Sequence, residues 1–530
     1  MSSALGGPDG LSVDSLKSNH FCTGVKRGRE YVCGGDADEN AISKAVDLLI
    51  EAIRRITYWR VWETWWIEEW VDEWLIARDR LEVQLRGRYS DDVVNDLLGM
   101  VDKFINYNED FWRYWHEVSN EVKRLVDDLL NGRSEVIVWE GEKGVSVYRE
   151  YITLEAHRTR NGIVVQLVLN ELEGITIEAP DIFKKVMSER EYGKFVNEVL
   201  EVLKGGFEEA DGTIEGGKAA MGTTQIWQVV VWALLYPGGN YVRVNVINVN
   251  EGGVTITWHL RTNHDPLKGK ILNDTDKLSE KELLAFMLGA ILGDGWADVI
   301  KLKINGRVYD EAVIKITMSS ERLDAWKSLL DKLREMGFNW RPVPANDDAV
   351  DVRFYGSNAI NLSRAMMAVL PPILRDLMDG LGFEKWNNLR RIAEMEVRWQ
   401  RGEVQITIAN IKFTVVVRKG TVVLEHKAKN DAEVDEVINA LRAVYGVELQ
   451  VNVYRSGEYR VVTIPMCAFE RYEDIKSQVI EVLHRKLEKT KDEKKRQIIT
   501  KHLKRLTPTK ETATAKRPDQ GIHPSQTQAT

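Results

Sequence analysis

A chain of 530 residues with a 44% hydrophobic complement can bury several cores, which excludes a wholly disordered or fibrous protein. No apolar run reaches the roughly 18 residues of a membrane span, and the N-terminus lacks the basic-then-apolar pattern of a secretory leader. The cysteines, Cys22, Cys33 and Cys467, are too few and of odd number for a disulfide framework, so a reducing cytoplasm is expected. A net charge of −8 is unusual for a nucleic-acid binder, yet it is unevenly spread: residues 1–280 carry −15, residues 281–400 are neutral and residues 401–530 carry +7. Affinity for a polyanion is therefore expected in residues 281–508.

In chain order, residues 1–38 are rich in Gly, Ser and Asp and read as a disordered leader. Residues 39–132 predict a Trp-rich helical hairpin that turns near Gly87–Ser90. Trp62, Trp66, Trp70 and Trp74 recur every four residues, with Glu63, Glu68, Glu69, Asp72 and Glu73 between them. A tryptophan stripe at this spacing is core or interface, since its acidic neighbours would repel phosphates. Residues 133–181 switch to strand composition, with strands over Glu135–Trp139, Val145–Ala156 and Ile163–Leu169. Within 182–262 the pattern gives a helix from Ile182 to Gly205, a Gly-rich break, a helix over Thr224–Tyr236 and a hairpin around Asn250–Gly252. Residues 263–278 read as a polar linker.

Residues 279–395 follow the order α-β-β-α-β-β-α. A helix covers Glu282–Gly293, and a second, Glu321–Met336, puts Leu323, Trp326, Leu329, Leu330 and Leu333 on one face before stopping at Gly337. Residues 396–487 repeat β-β-α-β-β-α without a leading helix, and 488–530 are a basic helical run followed by a polar tail. The fold class is α+β.

The chemistry sits in Leu284–Gly295, which reads LAFMLGAILGDG. Ala285, Gly289 and Gly293 are four apart, so they form a smooth strip against which another helix can pack closely. Asp294 falls at the helix C-terminus and Gly295 suits a left-handed cap. A carboxylate at that end opposes the helix dipole, at a cost of roughly 0.3–1 kcal/mol. The placement is sensible if Asp294 binds a cation.

This segment resembles the signature helix of the LAGLIDADG DNA-endonuclease family, and the element order downstream matches as well. The resemblance implies a saddle-shaped αββαββα unit over 279–395. It further implies two such helices side by side, each ending in an acidic residue that holds a divalent metal over the cleavage centre. The partner acid implied here is Asp211, because Ala210–Asp211–Gly212 resembles the motif's ending and precedes a helix and a hairpin. Residues 182–262 would then be a degenerate first half. The departures are Lys204 in place of an apolar residue, Glu208 and Glu209 across the strip, a short hairpin and a missing final helix. An acidic Gly-rich loop is the competing account of 204–214. Alternatively, residues 411–487 or a second copy of the chain supply the partner half. The whole chain, with its Trp-rich front, also looks like a poorly characterised archaeal repeat-encoded group known as PaRep proteins, which suggests a mobile or multicopy gene.

Mg²⁺ suits such a hard oxygen site, and Lys385 is the cation expected beside it by position. Lys301, Lys303, Arg307, Lys315, Arg341 and Arg353 are the strand residues expected to face a DNA groove; Gln225 and Gln228 are the corresponding residues upstream. The implied function is metal-dependent phosphodiester hydrolysis of double-stranded DNA, by a monomer with internal pseudo-symmetry or by a homodimer. The alternatives are a catalytically silent DNA- or RNA-binding scaffold and a partner-binding protein led by its Trp-rich helices.

Overall fold

In a computed structural model the chain divides into two units, Met1–Glu396 and Val397–Thr530. The structure describes residues 13–507 apart from 28–29, 140, 142, 160–161, 305–306, 347, 398–403, 458 and 491. Among the described residues no helix is long and apolar enough to cross a membrane.

The first unit begins with a short helix, α1 (Val13–Lys17), and a hairpin, β1 (His20–Arg27) and β2 (Glu30–Asp36). Residues 13–27 and 30–36 of the expected leader are therefore ordered, while residues 1–12 lie outside the described residues. The reason is that β1 adds in parallel to β3 (Glu135–Val138) and so enters the main sheet. Cys22 and Cys33 form a disulfide within this hairpin, contrary to the expectation from cysteine number, and Cys467 is free.

Three helices follow rather than two: α2 (Glu39–Tyr58), α3 (Trp65–Leu85) and α4 (Asp91–Leu130). The break at 59–64 is concealed in the sequence because the four-residue tryptophan spacing runs through it. Val61 O holds it in place, accepting from Trp66 Nε1 (3.1 Å) and Trp115 Nε1 (3.2 Å), while Arg60 takes a left-handed backbone. Trp66, Trp70 and Trp74 are buried, and both Trp70 and Trp74 pack on Trp258 of the sheet.

The chain continues through β4 (Gly144–Tyr148), β5 (Ile152–Thr159), β6 (Gly162–Leu169), β7 (Ile175–Ala179), α5 (Ile182–Val186) and α6 (Glu189–Phe195). A π turn, Val196–Leu200, leads into α7 (Glu201–Asp211). After it come β8 (Gly212–Glu215), β9 (Lys218–Thr223), α8 (Ile226–Leu235), β10 (Gly238–Asn250), β11 (Gly253–Thr262) and α9 (Lys270–Asn273). A second run begins at α10 (Glu280–Gly293), opened by a reciprocal Ser279–Glu282 capping box. It proceeds through β12 (Gly295–Ile304), β13 (Arg307–Ser319), α11 (Ser320–Ala325), α12 (Lys327–Glu335), β14 (Trp340–Asn346) and β15 (Ala349–Tyr355). It closes with α13 (Ser357–Val369), α14 (Pro372–Leu381) and α15 (Glu384–Glu394).

The two runs share one topology. The strands after α10 lie in the order β12-β13-β15-β14, and those after α7 in the equivalent order β8-β9-β11-β10, all antiparallel. The first set is not free-standing, because β10 also pairs with β6 and β7 and so merges into an eleven-stranded sheet. Segment 263–278 is not a loose linker either. Its Ile271 packs against Gly205, and its backbone is held by carboxylates of α7.

The second unit contains β16 (Gln405–Ile408), β17 (Ile411–Val417), β18 (Val422–Ala428), α16 (Asp431–Tyr445), β19 (Asn452–Ser456) and β20 (Tyr459–Pro465). Helices α17 (Met466–Phe469), α18 (Glu473–Lys489) and α19 (Glu493–Leu506) complete it. Its sheet runs β16-β17-β18-β20-β19, and α16, α18 and α19 enclose a core of Phe413, Leu424, Leu441, Val479 and Leu503.

Candidate active site

Helices α7 and α10 pack without intervening side chains. A Cβ on Gly289 would lie 2.2 Å from Leu203 O, one on Gly206 would lie 2.1 Å from Phe286 O, and one on Gly293 would lie 2.3 Å from Ala210 Cβ. At Gly289 and Gly206 backbone thus meets backbone, at Gly293 it meets the methyl of Ala210, and only glycine fits at these crossings. Ala285, the first residue of the α10 strip, is fully buried. Gly295 differs from its expected role. It lacks a left-handed backbone and opens β12 instead; its glycine is required because a Cβ would stand 2.6 Å from Ile291 Cα.

The close packing brings the two helix ends together. Asp211 is the last residue of α7, Asp294 caps α10, and each is followed by a glycine that starts a strand. The Asp211 carboxyl is pushed up to about 6, first by burial, then by the charge of Asp294 and a hydrogen bond to it. Two carboxyl groups brought together at converging helix ends form a hard-oxygen donor set, which fits a Mg²⁺-type cation completed by water. No cluster of three or more His, Cys, Asp or Glu side chains suited to a metal occurs among the described residues.

Each acid has one polar partner from the helix that follows its own hairpin. Gln228 Nε2 donates to Asp211 Oδ2 (2.6 Å), and Thr223 Oγ1 donates in turn to Gln228 Oε1. Arg322 Nη1 lies 3.6 Å from Asp294 Oδ2. Gln228 is the third residue of α8 and Arg322 the third of α11, so the two occupy equivalent places in the repeated topology. Arg322 is not among the residues expected from the sequence; the signal that points to it is the alignment of the two halves on their hairpins. Lys385, near the start of α15, donates through Nζ to Leu292 O (2.8 Å) and to Gly293 O, capping α10. Burial lowers its pKa, and the charges of Asp211 and Asp294 partly restore it.

The departures of α7 from a smooth strip now have a use. Glu208 is fully buried and accepts from Tyr236 Oη (2.5 Å), Leu267 N (2.7 Å) and Lys268 N (3.1 Å). Glu209 accepts from Gly269 N (2.9 Å), and Lys204 pairs with Glu201 at 2.7 Å. These side chains fasten α7 to its surroundings and leave Gly206 free for α10.

The proposed groove-facing set divides between the two sides of its sheet. Trp296, Lys315, Arg353 and Arg341 are paired in register across β12, β13, β15 and β14, and therefore share one face. Buried Asp351 joins them, accepting from Thr317 Oγ1 (2.6 Å), Arg353 Nη2 (2.6 Å) and Lys315 Nζ (3.3 Å). Burial alone would raise the Asp351 pKa, but these donors outweigh it and hold the group charged. Lys301 and Lys303 fall on the opposite face, in step with Ala297, because strand side chains alternate. The side chain of Arg307 lies outside the described residues. Beside Lys385 is an open cavity of about 620 Å³, lined also by Gln225, Trp296, Phe383 and, from α3, Glu73 and Arg80.

No protein-family model matches the chain, and no curated protein matches it. Among solved structures it is similar to the LAGLIDADG homing endonuclease I-SmaMI bound to cleaved DNA, with 11% identity, 41% of this chain and 92% of that chain covered, and a TM-score of 0.13. It is also similar to the LAGLIDADG meganuclease I-AabMI bound to uncleaved DNA, with 12% identity, 42% of this chain and 96% of that chain covered, and a TM-score of 0.13.

Proposed function

We propose that the paired ends of α7 and α10 form a metal-dependent centre that hydrolyses phosphodiester bonds in double-stranded DNA. The observation that carries this is the convergence of Asp211 and Asp294 at the C-termini of two helices packed through glycine, with the Asp211 carboxyl pushed up to about 6. Carboxylates placed against two negative helix ends oppose stability, so a cation is the natural counterpart. Asp211 and Asp294 would hold Mg²⁺, which when bound lowers the pKa of water and neutralises charge on the phosphate. Gln228 fixes the orientation of Asp211. Arg322 stands by Asp294, where it can meet a phosphate oxygen. Lys385 is fixed by two helix-end carbonyls, where its ammonium stabilises developing negative charge and can protonate a leaving oxygen. The face carrying Trp296, Lys315, Arg341 and Arg353 would lie along the duplex. Both acids come from one chain, which favours a pseudo-symmetric monomer over a homodimer that supplies the second acid.

Arg322 beside Asp294 also favours a second reading, a DNA-binding scaffold in which a fixed guanidinium takes the place of the metal. Plasmid nicking with and without Mg²⁺, for the wild type, Asp211→Asn and Asp294→Asn, separates the two. Metal-dependent cleavage lost in both variants supports the nuclease. DNA binding with no cleavage by any of the three proteins supports the scaffold and removes the catalytic proposal.

A further inference from the structure

The second unit contains a cavity of about 420 Å³ between β17 and the α18–α19 pair. Arg418, Lys419, Lys486 and Lys495 line it, and among the described residues no carboxylate does. Two of these cations are compensated from outside the cavity: Arg418 pairs with Glu425 at 2.6 Å, and Lys495 lies 3.8 Å from Asp492. Lys419 and Lys486 have no carboxylate partner among the described residues. The Lys486 ammonium donates to Val415 O (2.5 Å), leaving two of its three N–H groups for another acceptor. Val415, Val417, Ile498 and Ile499 supply an apolar floor. Two uncompensated positive charges over an apolar floor form a receptor for a doubly charged head on an apolar body; a carboxylate would balance only one of them.

We infer that this cavity binds a phosphomonoester, with Lys486 and Lys419 on the phosphate and the valine and isoleucine floor against the organic group. Burial alone brings the Lys486 ammonium down to about 8, as befits a cation with no acid beside it. The same chemistry could come from a free mononucleotide or from the phosphorylated end of a nucleic-acid strand. The site is independent of the Asp211–Asp294 centre.

Calorimetric titration of the full chain with AMP, and with a short oligonucleotide with or without a 5′-phosphate, tests it. Saturable binding of AMP, weakened about tenfold or more in Lys486→Met and in Lys419→Met but unchanged in Lys327→Met, supports a free ligand. Binding confined to the 5′-phosphorylated oligonucleotide, with the same dependence on Lys486 and Lys419, supports a strand end. Equal binding of the two oligonucleotides without binding of AMP, no binding at millimolar AMP and oligonucleotide, or AMP binding undiminished in both variants overturns the inference. Lys419 is exposed, so its variant remains informative if loss of the Lys486 contact to Val415 disturbs folding.

Discussion

Asp211 and Asp294 share a motif ending but not an environment. Asp211 is the more enclosed, held by Gln228, whereas Asp294 is partly open to solvent beside Arg322. Because the folded state raises the Asp211 pKa above its usual value of 3.8, the native protein binds its proton more tightly than the unfolded chain. The resulting favourable contribution is fully present below the unfolded pKa and is lost as pH rises through about 6. Without metal, Asp211→Asn should therefore stabilise the protein at pH 7–8, by on the order of 2–3 kcal/mol, and have little effect near pH 4. Thermal melts across that range in chelator test this. A variant equally or less stable at pH 8 would mean that neither burial nor the Asp294 charge raises the Asp211 pKa in solution. At this scale the Asp294 end was legible because glycine spacing and an acid at a helix end are local features. Arg322 was not, because its relation to Asp294 arises only when β13 folds back beside α10.

The pairing of α7 with α10 is the element on which the candidate site depends. Gly289 meets the Leu203 carbonyl and the Phe207 amide directly, and neither can move without shifting the whole helix. Gly289→Ala should destabilise by about 1–3 kcal/mol and Gly289→Leu by at least as much; denaturant unfolding measures both. Wild-type stability in the Leu variant would show that the helices are not in contact there. The α10 strip could be read directly from the sequence. The sequence predicts that the helix stops at Gly205, because two consecutive glycines cost a helix roughly 1 kcal/mol each relative to alanine. What carries the helix through them is tertiary. Ile271 packs on Gly205 and the α10 backbone on Gly206, while Glu208 and Glu209 secure the turn that follows.

For the whole molecule, the boundary at 263–278 suggested by composition does not divide independent parts of the first unit. Fragments 1–275 and 279–507 would each expose one face of the α7–α10 contact. Neither is expected to give a dispersed amide spectrum for its α7 or α10 half alone, and co-expression should restore both; a cooperative unfolding transition of the first unit's portion of 279–507 on its own would contradict this. The sequence by itself determined what depends on near neighbours: the α+β class, the order of most helices and strands, the glycine strip and the acid at its end. Only the tertiary structure decided which second acid meets Asp294, which cations share a sheet face and that the tryptophan helices pack on β11. These outcomes depend on contacts between residues far apart in the chain, such as Gly206 with Phe286 and Trp74 with Trp258, where local preference is outweighed by close packing.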